Sequence, residues 1–157
     1  MQLTVVFEWV EGLQIVRLIA TVPGAYPTIS ALHVLGIGIL VGSIAPVDFR
    51  LLGILGPKFD AVMSTLIRMA LAGFGLAAAS GLLLASVRIG SYAQNPAFLS
   101  KLAILAVAGG NAGALRLFAH GSDLAGMVRR GRGSVAAATS LVLWLAAVFA
   151  GRWIAFV

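Results

Sequence analysis

Four long stretches of this sequence contain no charged residue, and they constrain the fold more than any other feature. They are Leu18–Val47, Met69–Val87, Leu102–Leu115 and Gly133–Gly151. A helix needs about 20 apolar residues to cross the hydrocarbon core of a bilayer, and each stretch reaches that length with its flanks. Backbone groups in lipid must bond within their own segment, and the sequence lacks the alternating pattern of a β-barrel. These stretches are therefore predicted to be membrane-spanning helices.

The composition agrees with a lipid environment. Hydrophobic residues make up 61% of the chain and charged residues 10%, whereas soluble domains have about 25% charged residues. The net charge of +6 would suggest nucleic acid in a soluble protein, but here the basic residues lie between apolar stretches and face anionic headgroups. An ordinary soluble globule, a disordered chain and a nucleic-acid partner are excluded, and the bilayer is the expected partner. The absence of cysteine excludes disulfides and thiolate chemistry.

We predict an all-α fold: an integral membrane four-helix bundle over 26–157, preceded by an N-terminal interfacial amphipathic helix and turn over 1–25. The spans are predicted at about 27–49, 62–87, 96–120 and 134–156. Glu8, Glu11 and Gln14 fall on one side of the first segment, which is typical of a helix in the membrane plane. A cleaved signal peptide fits less well, because a positively charged start is missing.

Several residues mark the predicted helix ends. Asp60 is placed as an N-cap, and Asn95 before Pro96 reads as a cap followed by a first-turn proline. Pro46 is expected to kink or end the first span.

The basic residues also predict the topology. The loops between spans one and two and between spans three and four hold seven Lys and Arg with their flanks, against four on the other side. The richer side is expected to be cytoplasmic. Both termini are then predicted on the outer side, which is the periplasm in a Gram-negative host.

Three titratable or basic side chains are predicted at one depth below the outer face. His33, Lys101 and Arg152 each lie five or six residues from the outer end of a span, and ionisable residues within a membrane are functional candidates. Tyr26 and Trp153 are placed just above them. Such a ring suits an anionic or carbonyl-bearing ligand, such as a quinone headgroup or a haem propionate. Alternatively, Lys101 and Arg152 reach the headgroups while the aromatic residues form the interfacial belt.

A haem b held between the two histidines is not expected. His33 and His120 differ in height by about 18 residues, or roughly 27 Å along the membrane normal, whereas two axial ligands must flank one iron atom. A haem on His33 alone, or a quinone, stays open as the cofactor. No metal site is predicted, because the sequence has no His-xxx-His motif or His/Glu cluster.

A second group of charges is predicted at the cytoplasmic end. Asp48 lies near a helix C-terminus, where the helix dipole disfavours an anion, so we expect it to pair with Arg68 or Arg116. Together with Arg50, these residues are predicted to form a structural ion-pair cluster. The alternative is that they belong to a proton or ion path.

Small residues at four-residue spacing predict close helix packing. They are Gly38 and Gly42, Gly73, Ala77 and Gly81, Gly109 and Gly113, and Ala146 and Ala150. Packing inside the bundle is the simpler interpretation, and a homo-oligomer through one of these faces is the other.

Several motifs resemble those of one protein family. They are Tyr26-Pro27, the run 31–44 (ALHVLGIGILVGSI), the run 48–53 (DFRLLG), the run 95–98 (NPAF) with Lys101-Leu102, and the run 150–155 (AGRWIA). With them the chain resembles a family of small, uncharacterised bacterial integral membrane proteins that have an amphipathic start and four spans. The resemblance implies this architecture and a bacterial inner-membrane location, and it carries no activity.

The leading functional hypothesis is a non-catalytic membrane subunit or anchor that works with a redox or periplasmic partner in a larger membrane complex. It would hold a quinone, lipid or haem near His33, Lys101 and Arg152. The alternative is an oligomeric channel or small-solute transporter lined by residues such as Asp48 and Asn111. A membrane enzyme ranks lowest, because no nucleophile–base pair is recognisable.

Overall fold

The computed structural model describes the backbone of residues 2–118 and 133–156, and the side chains of residues 4–115 and 133–156. These residues form α-helices joined by short turns, with no strand among them. The α-helices are α1 Gln2–Glu11, α2 Gln14–Thr21, α3 Ala25–Leu51, α4 Asp60–Ser86, α5 Ile89–Tyr92, α6 Pro96–Phe118 and α7 Ser134–Trp153. Short 3-10 turns, Pro57–Phe59 and Ile154–Phe156, precede α4 and follow α7.

Four of the described helical segments are long and apolar enough to cross a membrane. They are Ala25–Leu51, Pro57–Ser86, Pro96–Leu115 and Ser134–Phe156. The predicted all-α fold is confirmed. Helix α3 continues through Pro46 to Leu51, so Pro46 does not end it, and the helix extends two residues beyond the predicted limit of about 49. The predicted end of the third span at His120 lies outside the described residues.

The two predicted helix caps have different outcomes. The Asn95 Oδ1 accepts hydrogen bonds from the backbone N–H groups of Ala97 and Phe98, at 2.9 and 3.1 Å, so it caps α6 as predicted. Asp60 is instead the first residue of α4, and its carboxylate bonds to the side chain of Arg50.

The N-terminal segment forms two short helices rather than one. α1 and α2 are separated at Gly12-Leu13, and α2 buries Val16 and Ile19 against the bundle. The Glu11 carboxylate accepts a hydrogen bond from the Gly90 backbone N–H, at 3.2 Å. This bond holds the end of α1 against α5.

The spanning helices pack as two close pairs, α3 with α4 and α6 with α7, which meet mainly along α3 and α7. In the first pair the backbones approach at two glycines. A Cβ on Gly36 would lie 2.6 Å from the Ala77 backbone nitrogen, and one on Gly73 would lie 2.5 Å from that of Leu40. Helices α4 and α6 are not packed closely, which leaves a gap on one side of the bundle.

The predicted small-residue faces are used unequally. Gly73 and Ala77 form the contact with α3, as expected from packing inside the bundle. Gly38 and Gly42 do not contribute to it, since no described atom lies within 4 Å of a Cβ built on either. The α3 contact is made by Gly36, two residues before Gly38 of the predicted pair.

Candidate ligand-binding site

The imidazole of His33 is fixed by hydrogen bonds to α4. Its Nδ1 lies 2.7 Å from the Ala77 carbonyl oxygen and 3.3 Å from the Ser80 Oγ. The Ser80 hydroxyl donates its own hydrogen to the Leu76 carbonyl, at 2.5 Å, so both neighbours of Nδ1 accept. Because these groups only accept, Nδ1 carries a hydrogen, and in the neutral imidazole Nε2 then has a lone pair. Gly81 makes room for the ring, because a Cβ there would lie 2.8 Å from the imidazole Cε1.

The ammonium of Lys101 lies inside the bundle without a described partner. The side chain starts from the second turn of α6 and is half-buried. Its Nζ rests near α7, where a Cβ on Gly151 would lie 3.1 Å away. No described residue is recorded in a hydrogen bond or ion pair with Lys101. A cation without an anion at this depth marks a candidate functional group.

His33 and Lys101 line the same cavity, which has a volume of about 230 Å³. Apart from the indole of Trp144, the other residues that line it are apolar. They include Leu40, Phe74, Ala78, Leu82, Leu102 and Leu105. The two polar groups lie toward the N-terminal ends of α3 and α6, and Leu40 and Trp144 lie nearer the middle of their helices. The cavity thus has a polar end and an apolar end.

The cavity lies along the gap between α4 and α6. Leu82 on α4 and Leu102 on α6 line it and are 72% and 47% exposed on the surface that would face lipid. Trp144 forms the inner wall and packs edge-on against Phe74, with ring centroids 6.2 Å apart. A molecule dissolved in the bilayer would therefore enter sideways, between α4 and α6.

Tyr26 belongs to a second cavity. This cavity has a volume of about 540 Å³ and lies beside α2, with Tyr26, Arg88 and Tyr92 among its lining residues. The side chain of Tyr92 hydrogen-bonds to that of Tyr26. Tyr26 is not among the residues that line the cavity of His33.

Arg152 and Trp153 are also separate from the His33 cavity. The Arg152 guanidinium lies over the Phe156 ring, 5.1 Å from its centroid, and Trp153 is 62% exposed. Of the five residues predicted for one ligand site, His33 and Lys101 come together. The placement of Arg152 and Trp153 agrees with the alternative, in which they face the headgroup region.

Three members of the predicted ion-pair cluster, Asp48, Arg50 and Arg68, have described side chains, and no ion pair joins them to one another. Arg50 pairs with Asp60 across the turn between α3 and α4, with Nε–Oδ1 and Nη2–Oδ2 distances of 2.7 and 3.1 Å. Asp48 hydrogen-bonds to Ser140, and its Oδ2 has no partner among the described residues. Arg68 is exposed. It forms no ion pair with Asp48, because it lies on the face of α4 opposite the α3 contact. The side chain of Arg116 lies outside the described residues.

Two further residues, Asn111 and Trp144, contribute contacts inside the bundle. Asn111 donates a hydrogen bond from Nδ2 to the Ala136 carbonyl oxygen on α7, at 2.9 Å, so the predicted cross-helix bond is present. Trp144, which forms the inner wall of the cavity, was not predicted. The sequence pattern could have predicted that Trp144 is buried, since it shares one helical face with the small residues Ala137, Ser140 and Ala147.

The helices and their packing define this chain as a small multi-pass α-helical membrane protein. Comparison with known proteins adds nothing to that class: no family model, no curated protein and no solved structure matches the chain. The resemblance to a family of four-span bacterial proteins therefore stays a prediction.

Proposed function

We propose that this protein is a non-catalytic membrane subunit that takes a lipid-soluble molecule with a polar head from the bilayer. The observation that carries the proposal is the cavity at the gap between α4 and α6, which is apolar except for its polar end at His33 and Lys101. Binding sites of small molecules are mostly apolar and contain a few converging polar groups. The head would lie between His33 and Lys101, and the tail would leave toward lipid.

The size of the cavity favours a single ring over a macrocycle. An apolar cavity of about 150 Å³ is known to bind benzene, and this one has about 230 Å³. A substituted quinone ring fits that space, with its tail outside. A haem b, whose four pyrrole rings form one rigid plane, is far larger, so we propose quinone rather than haem as the ligand.

The setting of this subunit is part of the same proposal. The resemblance noted above and the distribution of basic residues support a bacterial inner membrane with both termini in the periplasm. A subunit that stores or presents a quinone would work beside a redox partner, in a larger membrane complex or as a homo-oligomer.

The fluorescence of Trp144 tests the proposal, because this indole lines the cavity and a bound quinone quenches it. Trp9→Phe and Trp153→Phe replace the other two tryptophans of the chain, which are 66% and 62% exposed. In lipid nanodiscs we expect a decyl-substituted benzoquinone to quench Trp144 along a saturable curve. Non-saturable quenching, as expected for simple partition into lipid, would refute the site.

A pair of matched variants locates the binding. Ala78→Phe fills the cavity, and Ala79→Phe places the same ring on the exposed face of α4. Saturable quenching should be lost in the first variant and kept in the second. Equal quenching in both would mean that the quinone binds elsewhere.

One observation favours the second candidate function, passage of protons or cations. Asp48 is 2% exposed, and its Oδ2 has no described partner, and unpaired carboxyls within membranes often mark ion or proton paths. In proteoliposomes, a proton or cation flux that Asp48→Asn abolishes would support this candidate. A flux unchanged by Asp48→Asn would count against it.

A further inference from the structure

Resting on the proposed function, we infer that the site selects the reduced ligand, a hydroquinone, over the oxidised quinone. One hydroxyl of the hydroquinone donates to the Nε2 of His33, and its other oxygen accepts from the Nζ of Lys101. The juxtaposition that carries this inference is an imidazole acceptor and an ammonium donor at one end of an otherwise apolar cavity.

The hydrogen bonds of His33 determine what it offers the ligand. Its Nδ1 hydrogen is held by the Ala77 carbonyl oxygen at 2.7 Å, a group that only accepts. Ser80 strengthens this arrangement, because its hydroxyl hydrogen is committed to Leu76. In the neutral imidazole Nε2 is therefore an acceptor, and it forms no hydrogen bond with a described residue. A ligand satisfies it only by donating a hydrogen.

Lys101 offers the opposite group. An ammonium has donors and no acceptor, and the Lys101 ammonium has no recorded partner among the described residues. It therefore needs an oxygen that accepts. A hydroquinone satisfies both side chains at once, since each of its hydroxyl oxygens both donates and accepts.

The other head groups considered form a hydrogen bond with one of the two side chains and leave the other side chain without a partner. A quinone has two carbonyl oxygens that accept from Lys101 but cannot donate to His33. A carboxylate or phosphate anion suits Lys101, but its oxygen lone pairs would face the lone pair of Nε2. Leaving a polar group unpaired in a largely apolar site is costly, so the redox state of the ligand determines its affinity.

Competition for the cavity tests this selectivity. The chain with Trp144 as its only tryptophan is first loaded in nanodiscs with a decyl-substituted benzoquinone, which quenches the indole. Its hydroquinone and the hydroquinone dimethyl ether, which cannot donate, are then added separately. We expect the hydroquinone to restore fluorescence at a concentration at least about tenfold lower than the dimethyl ether. Electron exchange between the quinone and the hydroquinone of the same ring regenerates the same two compounds. The ratio of quinone to hydroquinone therefore stays as it was mixed.

Variants of the two polar residues make the test specific. In His33→Phe the hydroquinone and its dimethyl ether should compete equally, while Lys101→Met should weaken both and keep their order. Equal competition in the unmodified chain, which needs no variant to fold, would overturn the inference. In that case saturable quenching by the quinone would leave the proposed function standing. If no probe bound saturably, both would fail.

Discussion

At the scale of single residues, Tyr92 stabilises the end of the bundle at which α3 begins. Burial raises the pKa of Tyr92 above its usual value of 10.0, and so does its hydrogen bond to Tyr26, while Arg88 acts in the opposite direction. The phenol therefore stays neutral over the ordinary pH range. It links the short helix α5 to the start of α3, next to the second cavity.

This raised pKa predicts a loss of stability in strong alkali. The phenol of an unfolded chain ionises near pH 10, before that of the folded chain, so the contribution of Tyr92 is complete below that pH. It is lost as the pH rises through the higher pKa of the folded state. The thermal midpoint in detergent should therefore fall less steeply above pH 10 in Tyr92→Phe than in the unmodified chain. Identical pH profiles for the two proteins would contradict the prediction.

The sequence predicted the depth of the candidate site residues along their helices, but it did not predict which neighbouring helix each side chain faces. Counting residues from the helix ends placed His33, Lys101 and Arg152 at one depth, and the first two do line one cavity. Arg152 does not, because a count along a helix says little about which neighbour each side of that helix will face. The pairing of Arg50 with Asp60 was missed for a related reason, since it depends on how the short turn between α3 and α4 brings the two side chains together.

At the scale of elements, the contact between α3 and α4 depends on glycines that let two backbones touch. Association of helices in lipid relies on van der Waals contact between such small residues. Sequence alone identified the stripe on α4, but within the bundle it is Gly36, and neither Gly38 nor Gly42, that meets this stripe. These helices are apolar on all sides, so no hydrophobic face distinguishes the side that contacts protein from the side that contacts lipid.

Alanine substitutions should separate the buried glycines from the open ones. In Gly36→Ala and Gly73→Ala the new methyl group would lie 2.6 and 2.5 Å from backbone nitrogens, and overpacking of this kind costs about 1–3 kcal/mol. Gly38→Ala and Gly75→Ala are matched controls on the same two helices, with no described atom within 4 Å of the new Cβ.

Unfolding in mixed micelles measures this difference. The two buried variants should unfold at lower denaturant than the unmodified chain. The two controls should be unchanged or slightly more stable, since alanine favours a helix over glycine by up to about 1 kcal/mol. Four variants of equal stability would mean that α3 and α4 do not touch at these glycines.

At the scale of the whole molecule, the way the two helix pairs meet accounts for the cavity. Because α3 and α7 make the main contact between the pairs, α4 and α6 are left apart on one side. The number and approximate position of the spans followed from hydropathy, since length and apolarity determine where a helix can cross. The gap between α4 and α6 could not be predicted from hydropathy. It depends on which helices pack against each other, and the shapes of the side chains along each helix determine that packing.

The same arrangement gives a direct test of orientation, because the chain has no cysteine of its own. Ser91 in α5 and Ile54 in the turn after α3 are both exposed, and α4 separates them by one crossing of the membrane. With the excess of Lys and Arg on the Ile54 side, that side should be cytoplasmic. An impermeant maleimide added to intact cells should therefore label Ser91→Cys and leave Ile54→Cys unlabelled. Labelling of Ile54→Cys alone would invert the topology, and labelling of both variants would mean that α4 does not cross the bilayer.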